Sequence, residues 1–106
     1  MGGVIKGILQ EELDNSLRMK STYEVELAKL PKGSLVRKII KGLPYYYVVS
    51  REQGKVRFVY KGKVSADDIK KYQDAKESRA RYRKLLSQAK KQIKFLRSSL
   101  RAKESV

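Results

Sequence analysis

Leu35-Val36-Arg37-Lys38-Ile39-Ile40, Tyr45-Tyr46-Tyr47-Val48-Val49-Ser50 and Lys55-Val56-Arg57-Phe58-Val59-Tyr60 decide how this chain is read. All three runs are rich in β-branched and aromatic residues, which fit a pleated, half-buried surface. Between them lie Lys41-Gly42-Leu43-Pro44 and Arg51-Glu52-Gln53-Gly54, and Lys61-Gly62 closes the last run. Such clusters supply turns, with Gly42, Gly54 and Gly62 available for positive φ. The pattern predicts a three-stranded antiparallel β-meander over residues 34–61.

Successive strand side chains point to opposite faces. Counted straight through the three runs, Val36, Ile40, Tyr46, Val48, Val56, Phe58 and Tyr60 form an apolar set interrupted by Lys38. This set is expected to be the core face. The alternate set is Leu35, Arg37, Ile39, Tyr45, Tyr47, Val49, Lys55, Arg57 and Val59. It mixes cations with flat rings, and an antiparallel sheet can leave such a face in water. Arg37, Tyr45, Tyr47, Lys55 and Arg57 are therefore candidate nucleic-acid contacts: the cations for phosphates, the rings for stacking on unpaired bases. The structural alternative is that the tyrosines pack under a helix with only their hydroxyls wet.

Upstream of the meander, Leu9, Leu13, Leu17, Tyr23, Leu27 and Leu30 recur at helical spacing with one gap. An amphipathic helix is expected near residues 8–29, stopped by Pro31. Pro31-Lys32-Gly33-Ser34 is a connector, because it lacks the pattern of a phosphate-binding loop and opens no helix. Downstream, Ser65-Ala66-Asp67-Asp68 offers a cap and two acids for a helix N-terminus. No Gly or Pro follows. Tyr72, Ala75, Arg79, Tyr82, Leu86, Ala89, Ile93, Leu96 and Leu100 then alternate steps of three and four, a heptad seam with Arg79 as its polar intruder. A helix is expected over residues 66–101, and from Asp67 to Arg101 it would be roughly 52 Å long, longer than any strand here. Its seam needs a partner, either the first helix folded back as a hairpin or a second copy in a homodimer. Residues 102–106 are expected to fray. The fold class is thus α+β, in a single domain of 106 residues.

Charge narrows the function. The chain carries 26 Lys and Arg against 11 Asp and Glu, a formal net charge of +15. Such an excess creates a potential of several kT and costs self-repulsion on folding. It is also segregated. Between Glu77 and Glu104 there is no acid, while Arg79, Arg81, Arg83, Lys84, Lys90, Lys91, Lys94, Arg97, Arg101 and Lys103 fall in that stretch. A solvated helix face usually mixes both signs at i,i+4. The candidate phosphate contacts here are Arg81, Arg83, Lys84, Lys90, Lys91, Lys94, Arg97 and Arg101. The expected function is non-catalytic binding of DNA or RNA. The alternative is an inhibitor or accessory protein, antitoxin-like or of the kind that blocks a CRISPR effector, docking on a nucleoprotein complex across its nucleic-acid path.

Other classes are poorly supplied. The chain has no Cys and no His, so disulfides and zinc sites of the Cys/His kind are excluded. General base catalysis near neutral pH lacks its usual residue. Glu11-Glu12-Asp14 and Asp67-Asp68 are explained by helix starts, and no cofactor is implied. No run approaches the roughly 20 apolar residues of a membrane span. The seam is narrow and Trp is absent, which argues against a membrane-surface anchor. Met1 to Lys6 lacks the apolar run of a signal peptide, so a cytoplasmic protein is expected.

Leu30-Pro31-Lys32-Gly33-Ser34-Leu35, Gly42, Tyr45-Tyr46-Tyr47, Arg51, Gly54-Lys55-Val56 and Tyr60-Lys61-Gly62-Lys63 together resemble a motif of small uncharacterised bacterial and phage proteins. In those proteins a β-meander of this pattern precedes a charged helix. The resemblance implies the same fold and a bacterial, phage or mobile-element setting. It brings no activity with it.

Overall fold

The computed structural model describes residues 2–104. Helix α1 (Gly2–Lys29) leads into strands β1 (Ser34–Ile40), β2 (Leu43–Glu52) and β3 (Lys55–Gly62), and helix α2 (Ala66–Glu104) follows. The strands form one antiparallel sheet in the order β1-β2-β3. The architecture is α+β, with the helix, meander and long helix expected. The chain divides into two compact units. One joins α1 to α2 from Ala80 onward; the other runs from Leu30 to Arg79.

Two boundaries move. α1 starts at Gly2 rather than near residue 8, running through Gly3 and Gly7. Once the turn around Leu9 is anchored, each added residue gains one hydrogen bond without a new nucleation cost. α2 keeps its helical backbone to Glu104, past the fraying expected from Ala102. That expectation for Ser105 and Val106 lies outside the described residues.

In the first unit, Leu13 packs with Ile93, Leu96 and Leu100, and Leu9 lies against the cluster. Tyr23 meets Tyr82 with ring centroids 6.1 Å apart. Low numbers on α1 face high numbers on α2, so the two form an antiparallel hairpin. The α2 seam from Tyr82 to Leu100 is filled by α1 of the same chain. The α1 seam differs from the expected one. Its inward positions are Leu9, Leu13, Ser16, Lys20, Tyr23 and Leu27, an unbroken alternation of four and three. Ser16 is buried, whereas Leu17 stands 36% exposed at the rim. A small hydroxyl lets the helices approach, and the Lys20 stem can lie along the seam with its ammonium in water.

In the second unit, both hairpins close in two residues. Lys41 and Gly42 have φ of 51° and 79°, and Gln53 and Gly54 have 51° and 77°. Positive φ at both positions is the signature of the type I′ turn, whose twist matches that of the strands. Two-residue loops make Ile40 pair with Leu43 and Glu52 with Lys55. The parity of the residue numbers on a given face therefore reverses at each turn. Pro44 sits in the central strand, but β3 pairs with β2 only from Tyr46 onward, so no ladder bond to β3 is lost there. A bulge at Lys61 shifts the register between Tyr46, which pairs with Gly62, and Tyr47, which pairs with Tyr60.

This reversal corrects the expected faces. Leu35, Arg37, Ile39, Tyr46, Val48, Lys55, Arg57 and Val59 share one face. Val36, Lys38, Ile40, Tyr45, Tyr47, Val49, Val56, Phe58 and Tyr60 share the other. The first is the packed one: Val48 is 7% exposed, and Leu35, Arg37 and Tyr46 line a cavity with Ile69, Tyr72 and Lys76 of α2. The expected core members Val56, Phe58 and Tyr60 are 54%, 56% and 57% exposed.

Loops are tied down locally. The Asp68 N–H donates to Ser65 Oγ at 3.1 Å, which makes Ser65 the N-cap of α2. Half-buried Arg79 donates from its guanidinium to the Pro31 carbonyl oxygen at 2.5 Å. The polar intruder in the seam thus fastens the connector that follows α1.

Candidate nucleic-acid interface

Lys90, Lys94, Arg97 and Arg101 follow steps of four, three and four on α2. That spacing puts them on one side of the helix, along one flank of the Ile93–Leu96–Leu100 seam. The other flank carries Leu85, Gln92 and Ser99. The cations face α1 across a groove of about 730 Å³, lined also by Leu17, Lys20, Ile93 and Leu100. Five cations thus border an apolar floor, and among the described residues no acid lines the groove. Arg83, seven residues before Lys90, extends the row by one more repeat. From Arg83 to Arg101 the row spans about 27 Å at 1.5 Å per residue.

Lys20 belongs to this site and was not among the sequence candidates. Its Nζ lies 2.7 Å from Glu24 Oε1, and both side chains are partly open to water. The Glu24 carboxyl is held below its ordinary value, first by the Lys20 hydrogen bond and charge and then by the charge of Lys90. Glu24 is accordingly an internal counter-ion beside the groove. Following the four-three alternation back from Tyr23 lands on Lys20, and this was the available sequence signal.

The remaining helix candidates lie elsewhere. Lys84 and Lys91, seven residues apart, are exposed on a face away from the seam. Arg81 is exposed and lies over the Tyr82 ring, 5.4 Å from its centroid.

On the sheet, the five candidates divide between two faces. Arg37, Lys55 and Arg57 lie on the packed face, although their side chains reach solvent. Arg57 is paired with Glu52 at 3.2 Å. Tyr45 and Tyr47 lie on the opposite face. There they join Tyr60, 6.3 Å from Tyr45 and 5.4 Å from Tyr47 between centroids. Lys38 Nζ sits 5.2 Å from the ring centroids of both Tyr47 and Phe58. The aromatic surface is thus richer than the sequence suggested, with a different cation at its centre.

Among the described residues, no group of three or more Asp and Glu is placed to hold a metal ion. No helix among them is long and apolar enough to cross a membrane.

The chain belongs to the family of a domain of unknown function, DUF6788, whose model matches residues 8–71. The match takes in most of α1, the whole meander and the first turns of α2. It ends before the cation row. No curated protein and no solved structure matches the chain.

Proposed function

We propose that this is a non-catalytic nucleic-acid-binding protein that contacts the phosphate backbone through the cation row of α2. The observation that carries this reading is the groove in which Lys20, Lys90, Lys94, Arg97 and Arg101 converge, with no acid among the described residues of its lining. Neighbouring cations at i,i+3 and i,i+4 lie about 5–6 Å apart at Cβ, close enough to engage successive phosphates of one strand. Contacts of this kind release counter-ions and bring affinity without sequence readout. The test is a titration of labelled DNA and RNA oligonucleotides at several salt concentrations. The reading predicts binding that weakens steeply and linearly on a log–log scale. Absence of binding even at low salt overturns it.

A second reading draws on the apolar floor of Leu17, Ile93 and Leu100, which a phosphate backbone does not require. Here the protein is an inhibitor or accessory factor from a bacterial, phage or mobile-element setting. It docks on a nucleoprotein complex in the cytoplasm and occupies the nucleic-acid path. Salt-labile, weak binding to naked oligonucleotides, together with tight capture of a nucleoprotein, favours this reading over the first.

A further inference from the structure

We infer that the exposed aromatic face of the sheet binds unpaired nucleobases, which makes the preferred polymer single-stranded. The inference rests on the nucleic-acid reading above and names the polymer that reading leaves open.

The β3 part of this face is open to water, while Tyr45 and Tyr47 beside it are half-buried. Phe58 and Tyr60 are each more than half exposed, and Val56 beside them is equally open. Apolar surface left in water is unfavourable, and a contiguous patch of this kind marks an interaction site. Three observations choose the occupant. The rings are clustered but tilted, with Tyr47 and Tyr60 at 56° to each other, so they do not consume one another's faces by stacking. Lys38 stands among them, within 5.2 Å of two ring centroids, and Arg51 pairs with Val56 on the same face. The one acid of the strands, Glu52, lies on the opposite face, beside Arg57. Planar rings with interleaved cations and no acid match a planar heterocycle carried on an anionic backbone. A second copy of the same face would bring Lys38 and Arg51 against their equivalents in a chain of net charge +15. Bases inside a duplex offer no open faces to such rings, whereas unpaired bases do.

The experiment uses the full chain with a labelled oligothymidine and a duplex of equal length, at near-physiological salt. Three proteins are compared: wild type, Phe58→Leu with Tyr60→Leu, and Lys94→Glu with Arg97→Glu. Leucine keeps apolar bulk on the sheet and removes the π faces, and circular dichroism checks that the fold is kept. The wild type should bind the single strand at least about tenfold more tightly than the duplex. The leucine pair should lose most of that preference and retain its duplex affinity. Tyrosine emission, unobscured because the chain has 7 Tyr and no Trp, should be quenched on binding the single strand. Equal wild-type affinity for both polymers, or an unchanged preference in the leucine pair, overturns the inference and leaves the phosphate reading standing. A concentration-dependent dimer that the leucine pair abolishes also overturns it. Failure of the wild type to bind either polymer here and again at low salt overturns the phosphate reading and the inference with it.

Discussion

Tyr47 stands directly opposite Tyr60 across β2 and β3, with their ring centroids 5.4 Å apart. This pairing follows from turn length. A two-residue loop makes the numbers of paired residues sum to an odd value, so odd positions of β2 share a face with even positions of β1 and β3. Tyr45 and Tyr47 of the central strand therefore gather with Phe58 and Tyr60 of the edge strand on one side, and Tyr46 joins Arg37, Lys55 and Arg57 on the other. Phe58 and Tyr60, which alternation alone assigns to a core, become the most open rings of the sheet.

Gly33 should be the least replaceable turn glycine. Its φ is +89°, and a Cβ there would lie 2.8 Å from both Val48 Cγ1 and the Val49 carbonyl oxygen. Gly33→Ala should cost about 2–4 kcal/mol, a backbone penalty plus a clash with a buried strand. Gly54→Ala, at φ +77° with nothing nearby, should cost only about 1–2 kcal/mol. Urea denaturation of the two variants separates them, and equal costs would contradict the close approach of Gly33 to β2.

Arg79 should matter for stability through its bond to the Pro31 carbonyl oxygen. Arg79→Met keeps a long side chain in the seam and removes the donor. A loss of about 1.5–3 kcal/mol is expected, the range for a hydrogen bond involving a charged group. Thermal melts at one protein concentration measure it. A Met variant as stable as the wild type would show that Arg79 is merely tolerated in the seam.

Glu24 should restrain Lys20. Its carboxyl is depressed below the ordinary 4.5 by Lys20. A carboxyl depressed in the folded state adds stability above its unfolded pKa, and that contribution disappears as pH falls through the folded pKa. The pair is open to water, so the contribution is small and screened by salt. Its larger consequence is for binding. At pH 7, Glu24→Gln removes the counter-ion that Lys20 holds beside the groove and should raise oligonucleotide affinity a few-fold at low salt, with little change in melting temperature. Unchanged affinity in the same titration would remove Lys20 from the phosphate-binding set.

The seam of α2 was legible because Tyr72 to Leu100 keep their three-four alternation with bulky or small apolar residues at nearly every step. The strands were legible from composition. Their faces were not, because strand periodicity gives parity within a run and says nothing of how a loop resets it. Lys41-Gly42 and Gln53-Gly54 carried that information, as two-residue turns with positive φ at both positions. The α1 seam was obscured at Ser16 and Lys20, where a polar residue does an apolar residue's work and the neighbouring Leu17 satisfies a hydrophobic count. With that step misplaced, Lys20 did not stand out as a neighbour of Lys90 and Lys94.

The cation row is the centre of the account, and the salt dependence of binding tests it most directly. The measurement is oligonucleotide affinity against salt for the wild type and for Lys94→Glu with Arg97→Glu. Both side chains are exposed, so the fold should be kept. Loss of two phosphate contacts should flatten the log–log slope by about 1.4–1.8, from 0.7–0.9 per contact, and weaken binding at every salt concentration. An unchanged slope and affinity in the charge-reversed protein would contradict a phosphate-binding row on α2.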